Sequence, residues 1–185
     1  MLRKLFLLMS LLVLTACGKQ TFDPASVAAC YENGSLSAQY TVTTHSDFYT
    51  EYQLAATEED GVQTVTILRP ESVAGITAVL QGDQATLQYE EVSLEALLPQ
   101  IAGCAPVDVL YGLLENLKKD VPTGFAQEND TVILDYQETL SDGTDLLKQM
   151  VLHRETLALQ SAEIYLDGDL LLTLRVDSFQ WTPVG

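Results

Sequence analysis

The chain is short of histidine and of positive charge, and each shortage closes off a class of function. His45 and His153 are the only two histidines in 185 residues, which leaves little for imidazole acid–base chemistry or for a histidine-rich metal centre. His45 stands beside Ser46 and Asp47, but adjacent side chains on a strand point to opposite faces, so "HSD" does not assemble a triad. Both histidines read as solvated strand-end residues. Lysine and arginine number 9 against 26 aspartates and glutamates, a formal charge of −17. A nucleic-acid backbone repels such a surface. Phosphate-cradling, dinucleotide, CxxC and GxSxG patterns are also missing. Asp167-Gly168-Asp169 lacks the further oxygens of a calcium loop, since Leu170 to Leu172 come directly after it, and Glu58-Glu59-Asp60-Gly61 reads as a polar loop between strands. No catalytic residue, metal ligand or cofactor is assigned.

A long apolar run is missing too. Leu5 to Leu14 is broken only by Ser10 and preceded by Arg3 and Lys4. A span of the hydrocarbon needs about 20 apolar residues, so this segment has the layout of a signal peptide, residues 1–16. Leu14-Thr15-Ala16-Cys17 resembles the lipobox of bacterial lipoproteins, in which the cysteine thiol takes a diacylglycerol before the leader is cut away. An ordinary cleaved signal would need Cys17 to fall at the cut by coincidence, whereas all four positions fit the lipobox. Cys17 is therefore the expected lipidation site, carrying diacylglycerol and fatty acid such as palmitate. Residues 17–22 form a tether, and residues 23–182 form one domain. Two acyl chains hold a protein on a bilayer where one is marginal. The expected location is the cell membrane, anchored at its extracytoplasmic face. Without the leader, seven basic residues oppose 26 acidic ones, a formal charge of −19. Anionic headgroups repel that charge, so the domain should stand off the surface.

Cys30 and Cys104 remain as an even pair outside the cytoplasm, where disulfides persist. A bridge between them closes a loop of about 74 residues, which stabilises by about 4 kcal/mol in the chain-entropy model. Two buried free thiols packed as small hydrophobes are the alternative.

Hydrophobic periodicity gives the elements. Asp23-Pro24 opens a short helix to about Tyr31, ended by Asn33-Gly34. "SAQYTVTT" and "DFYTEYQLAA" then alternate, with Ala38, Tyr40 and Val42 on one face, then Phe48, Thr50, Tyr52 and Leu54. "VQTVTILRP" gives a third strand, and "ITAVLQGDQATLQYEEV" a hairpin turning at Gly82-Asp83. Ser93 is placed to cap a short apolar segment of Leu94, Leu97, Leu98 and Ile101, closed by Gly103. Pro106 to Lys119 is the strongest helix: Val107, Leu110, Leu114 and Leu117 share a stripe that Leu113 widens. Asp108 and Lys118-Lys119 suit the two ends of its dipole. Strands return over "TVILDYQET", "LLKQMVLHR" and "SAEIYLDGDLLLTLRVDSFQW". In the last of these, Leu170, Leu172, Leu174 and Val176 oppose Thr173, Arg175 and Asp177.

This order of elements behind a lipobox, with "RPESVAGITAVLQGDQATLQYEEVSL" and "LQSAEIYLDGDLLLTLRVDSF", resembles the LolA/LppX-type lipoprotein carrier superfamily, in particular the GerS-like lipoproteins of spore-forming Firmicutes. The resemblance implies an α+β fold: a strongly curved antiparallel half-barrel with helices packed on its concave face. It implies Leu110, Leu113, Leu114 and Leu117 as the lining of a plug helix. The function implied is non-enzymatic binding of a lipid, acyl chain or lipoprotein in the cleft, or of an envelope protein on the surface. A regulatory or structural module for a cell-wall hydrolase or a signalling system is the alternative.

Overall fold

The computed structural model describes residues 22–45, 49–98 and 103–183. The leader, Cys17 and the tether to residue 21 lie outside them, as do Phe48 and Ile101. Among the described residues, eleven strands and two helices succeed one another. Helix α1 (Ala25–Tyr31) precedes β1 (Gly34–His45), β2 (Tyr49–Glu59), β3 (Val62–Arg69), β4 (Thr77–Gln81), β5 (Gln84–Tyr89) and β6 (Val92–Leu97). Helix α2 (Val109–Lys119) leads to β7 (Gly124–Glu128), β8 (Thr131–Thr139), β9 (Asp145–His153), β10 (Leu159–Leu166) and β11 (Asp169–Pro183).

All strands belong to one 11-stranded sheet of order β6-β5-β4-β3-β2-β1-β11-β10-β9-β8-β7, and every pairing is antiparallel. Two meanders thus meet where β1 pairs with β11, and the chain passes from one sheet edge to the other only through α2. Tight turns set the registers. Asp167 and Gly168 both take positive φ, which matches the twist of the strands they join.

The sheet curves around α2, as the helix's contacts require. Tyr111 donates to the carbonyl of Gly82 at the β4–β5 turn (3.1 Å), while Asn116 accepts from Lys148 on β9 (3.0 Å). One helix reaches both places only if the two wings of the sheet rise on either side of it. The result is an α+β half-barrel with α2 on its concave face, and one core fills the space between. Val42, Leu54, Val65, Leu134, Met150, Ile164 and Leu174 rise from the floor to meet the helix leucines.

A bulge decides how the rim is built. Along β11 the inward residues are even-numbered up to Val176; the register then shifts, so that Gln39 faces Ser178 and Tyr40 faces Val176. The extra residue, Asp177, reverses the parity of the residues beyond it. Phe179 and Trp181 therefore turn inward opposite Ala38 and Leu36, where both pack on Tyr31 of α1. Gly34 is needed here, because a Cβ at that position would lie 2.5 Å from the indole of Trp181.

Two expectations change. The segment that Ser93 would cap as a helix is the edge strand β6, paired with β5 from Tyr89↔Val92 to Gln84↔Leu97. A two-residue turn with Glu90 at φ 51° folds it back on β5, and that ladder overrides the helical spacing of Leu94, Leu97 and Leu98. The main helix begins at Val109 rather than Pro106. Asp108 precedes it and accepts the N–H of Ala105 (2.8 Å), holding residues 105–108 in a turn.

Candidate functional site

The concave face is where a binding protein of this shape would hold a guest, and its own helix occupies it. Leu110, Leu113, Leu114 and Leu117 are each 0% exposed. Burial of such a side chain is worth about 1.5–3 kcal/mol, so the four together fix the helix against the floor. Gly103, at φ +91°, passes so close to Gly112 that an added Cβ would sit 3.3 Å from its Cα. That contact presses the helix's entry loop onto the helix itself.

Polar contacts pin both ends of α2. At its C-terminal end, Lys118 pairs with Glu58 of β2, a carboxylate only 3% exposed, and lies 5.6 Å from the ring centre of Trp181. Lys119 pairs with Glu115 one turn earlier, which raises the pKa of the Lys119 ammonium. The second oxygen of Glu58 and the side-chain amide of Gln63, its partner across β3, have no hydrogen-bond partner among the described protein groups. A cleft of about 660 Å³ opens beside this end, lined by Glu32, Asp60, Tyr111, Glu115, Lys118 and Trp181. Its charged lining is unlike that of an acyl-chain pocket.

Asp108, just before the N-terminal end, is buried, as is Lys148, which runs along the helix to Asn116. Burial raises the Asp108 carboxyl above its ordinary range, with backbone N–H groups and Lys148 pulling it part of the way back. Burial likewise lowers the Lys148 ammonium. Lys148 also lines a cleft of about 260 Å³ with Asn116, Asp120, Tyr136 and Glu138. Burial there pushes the Tyr136 phenol up to about 12.

No bridge joins Cys30 and Cys104; both are free, half-buried thiols. They sit in different surroundings. The Cys30 carbonyl accepts the indole N–H of Trp181 (2.9 Å), whereas Cys104 feels Lys148 and Asp108. Burial raises both thiols, so neither has the character of a reactive cysteine.

The histidines are local fixtures. His45 Nε2 meets the hydroxyl of Thr173 (3.1 Å), and His153 Nδ1 accepts the N–H groups of Glu155 and Thr156 (3.3 Å each). Asp167 accepts the N–H of Asp145 (2.9 Å), which ties its turn to the start of β9. Among the described residues, no three His, Cys, Asp or Glu side chains converge as metal ligands, and no helix is long and apolar enough to cross a membrane.

Two features are concealed in the sequence. Trp181 owes its inward position to the bulge, whose only trace in the sequence is the switch from even to odd apolar positions between Val176 and Phe179. β6 hides behind a helix-like pattern, and its exposure depends on lying at the sheet edge.

No family model and no curated protein matches the sequence. Solved structures do. An uncharacterized conserved protein from Thermus thermophilus is 10% identical over 88% of this chain and 87% of that chain, with a TM-score of 0.51. A LolA superfamily protein from Nitrosomonas europaea is 9% identical over 89% and 96%, with a TM-score of 0.43. A chain in the structure of the CwlD amidase from Clostridioides difficile in complex with the GerS lipoprotein is 14% identical over 88% and 98%, with a TM-score of 0.48. The likeness to the Thermus protein is one of fold.

Proposed function

We propose that this chain is a non-enzymatic lipoprotein of the cell envelope, held at the extracytoplasmic face of the membrane by diacylglycerol on Cys17, and that its half-barrel binds a partner protein. The observation that carries the reading is the filled interior. Four fully buried leucines of α2 take up the concave face, and ion pairs and hydrogen bonds hold both helix ends. A guest acyl chain would have to displace that helix. The two clefts beside α2 have charged and polar walls, which suits protein contacts better than lipid tails. The histidines, tied into strand ends and turns, support a role without catalysis.

Two measurements test this. Mass spectrometry of the protein from its native membrane should find thioether-linked diacylglycerol on an N-terminal Cys17, and an intact leader there would refute the anchor. Organic extraction of purified protein lacking residues 1 to 17 should yield no stoichiometric lipid. One acyl lipid per chain would replace the partner-binding reading with that of a carrier.

A further inference from the structure

We propose that β6 is a docking edge, and that an extended segment of a partner protein, alternating apolar residues with lysine or arginine, adds to it as a twelfth strand. The proposal rests on the partner-binding reading and names the surface and the chemistry it selects.

Three observations converge on this strand. Its backbone offers hydrogen-bonding groups that meet no partner strand among the described residues. Leu98 donates to the carbonyl of Asp83 (2.9 Å), which sets the phase of the β5–β6 ladder: Val92, Leu94 and Ala96 bond back to β5, and Ser93, Glu95 and Leu97 turn their N–H and C=O groups to the open edge. All six residues are exposed. Native sheets usually protect such an edge with lysine, proline, a bulge or a covering element; β6 has no lysine and no proline, and its pairing with β5 runs without a bulge.

The apolar floor also continues to this edge. Leu94 stands opposite Leu87, Val92 opposite Tyr89 and Ala96 opposite Ala85. Ala85 is buried in the core, whereas Val92 is 69% and Leu94 60% exposed. An added strand whose alternate side chains are apolar would extend the same face, in the manner of β-augmentation.

Charge selects the occupant. No lysine or arginine occurs between Arg69 and Lys118, whereas Glu71, Asp83, Glu90, Glu91 and Glu95 mark the wing that ends in β6. A second copy of this chain would bring the same carboxylates together, and like charges on neighbouring strands are destabilising. Anionic lipid is repelled for the same reason. A cationic strand pairs with them.

The test uses the full-length chain in detergent and fluorescent seven-residue peptides as probes. One alternates valine with lysine, one alternates valine with glutamate, and one has the lysine composition but carries D-residues at alternate positions, so that it cannot pair as a strand. The first should bind at least about tenfold more tightly than the other two, weaken with salt, and slow amide exchange at Ser93, Glu95 and Leu97. Glu95→Pro should abolish that protection, because proline removes an outward donor while leaving the bonds to β5 in place. Glu95→Gln should weaken binding while keeping the protection at saturating peptide. Unchanged Trp181 fluorescence certifies that both variants are folded.

Equal binding of the D-residue peptide, equal binding to Glu95→Pro, or no protection at the three amides overturns the proposal. So does a dimer that Glu95→Pro dissociates, which would give the edge to a second copy. Any of these with a lipid-free interior leaves partner binding standing on another surface, whereas stoichiometric lipid removes the partner reading itself.

Discussion

Lys118 of α2 donates to Glu58 of β2 across 60 residues of sequence, and in doing so fastens the helix end to the floor of the half-barrel. Neither residue stands out in the sequence, where Lys118 suits a helix dipole and Glu58 belongs to an acidic loop. Their meeting is made by the curvature of the sheet, and it brings one of the chain's few cations to a buried carboxylate.

Removing the cation should therefore cost far more than an exposed pair would. Lys118→Met leaves Glu58 charged and unpaired, and breaking a buried pair in this way costs about 3–5 kcal/mol. Adding Glu58→Met should restore most of the loss. Urea unfolding of the single and double variants checks this, and additive losses would show that the two residues do not act as a pair.

Gly34 and Trp181 give a second outcome. Gly34→Ala forces the indole to move, since the new Cβ would sit 2.5 Å from it, and overpacking of this kind costs about 1–3 kcal/mol. Trp181 is the single tryptophan of the chain, so its emission reports the displacement directly. A red shift and an earlier unfolding midpoint are expected; an unchanged spectrum would mean that the rim is looser than its contacts imply.

The carboxyl of Asp108 sets a pH dependence. Burial raises it above its ordinary value of 3.8, so across the window between that value and the raised one the folded chain binds more protons than the unfolded chain. The stability this contributes is fully present below the window and is lost as pH rises through it. Asp108→Asn keeps an acceptor for the Ala105 N–H but carries no charge. Its stability relative to the parent should therefore be higher at about pH 8 than at about pH 4. Denaturation midpoints at the two pH values measure the difference, and a pH-independent offset would contradict it.

Thiol accounting tests the unbridged cysteines. Under non-reducing conditions Cys30 and Cys104 should alkylate slowly in the folded protein and fully in urea, because burial raises both thiols and keeps them in the less nucleophilic protonated form. Resistance to alkylation in urea, relieved by a reductant, would reveal a bridge.

How much of this was legible in sequence depends on the range of the interaction that decides each feature. Turns at Gly82-Asp83 and Asp167-Gly168, the alternation of β1, β8 and β9, and the leucine stripe of α2 are written in neighbouring residues, since strand and helix periodicities repeat within a few positions. β6 shows the limit. Its residues space like a helix, and only a ladder with β5 makes them a strand. Trp181 shows it again, because one extra residue at a bulge reverses which side chains face inward.

Local chemistry thus determined the signal-peptide-like layout of residues 1–16, the lipobox resemblance of Cys17, the acidic composition and most strands, because these need only a residue and its near neighbours. The tertiary structure alone decided that Lys118 meets Glu58, that Cys30 and Cys104 remain thiols, that α2 fills the concave face, and that an apolar strand is left at the sheet's end. Each of these depends on how eleven strands curve around one helix, a geometry that no short window of sequence contains.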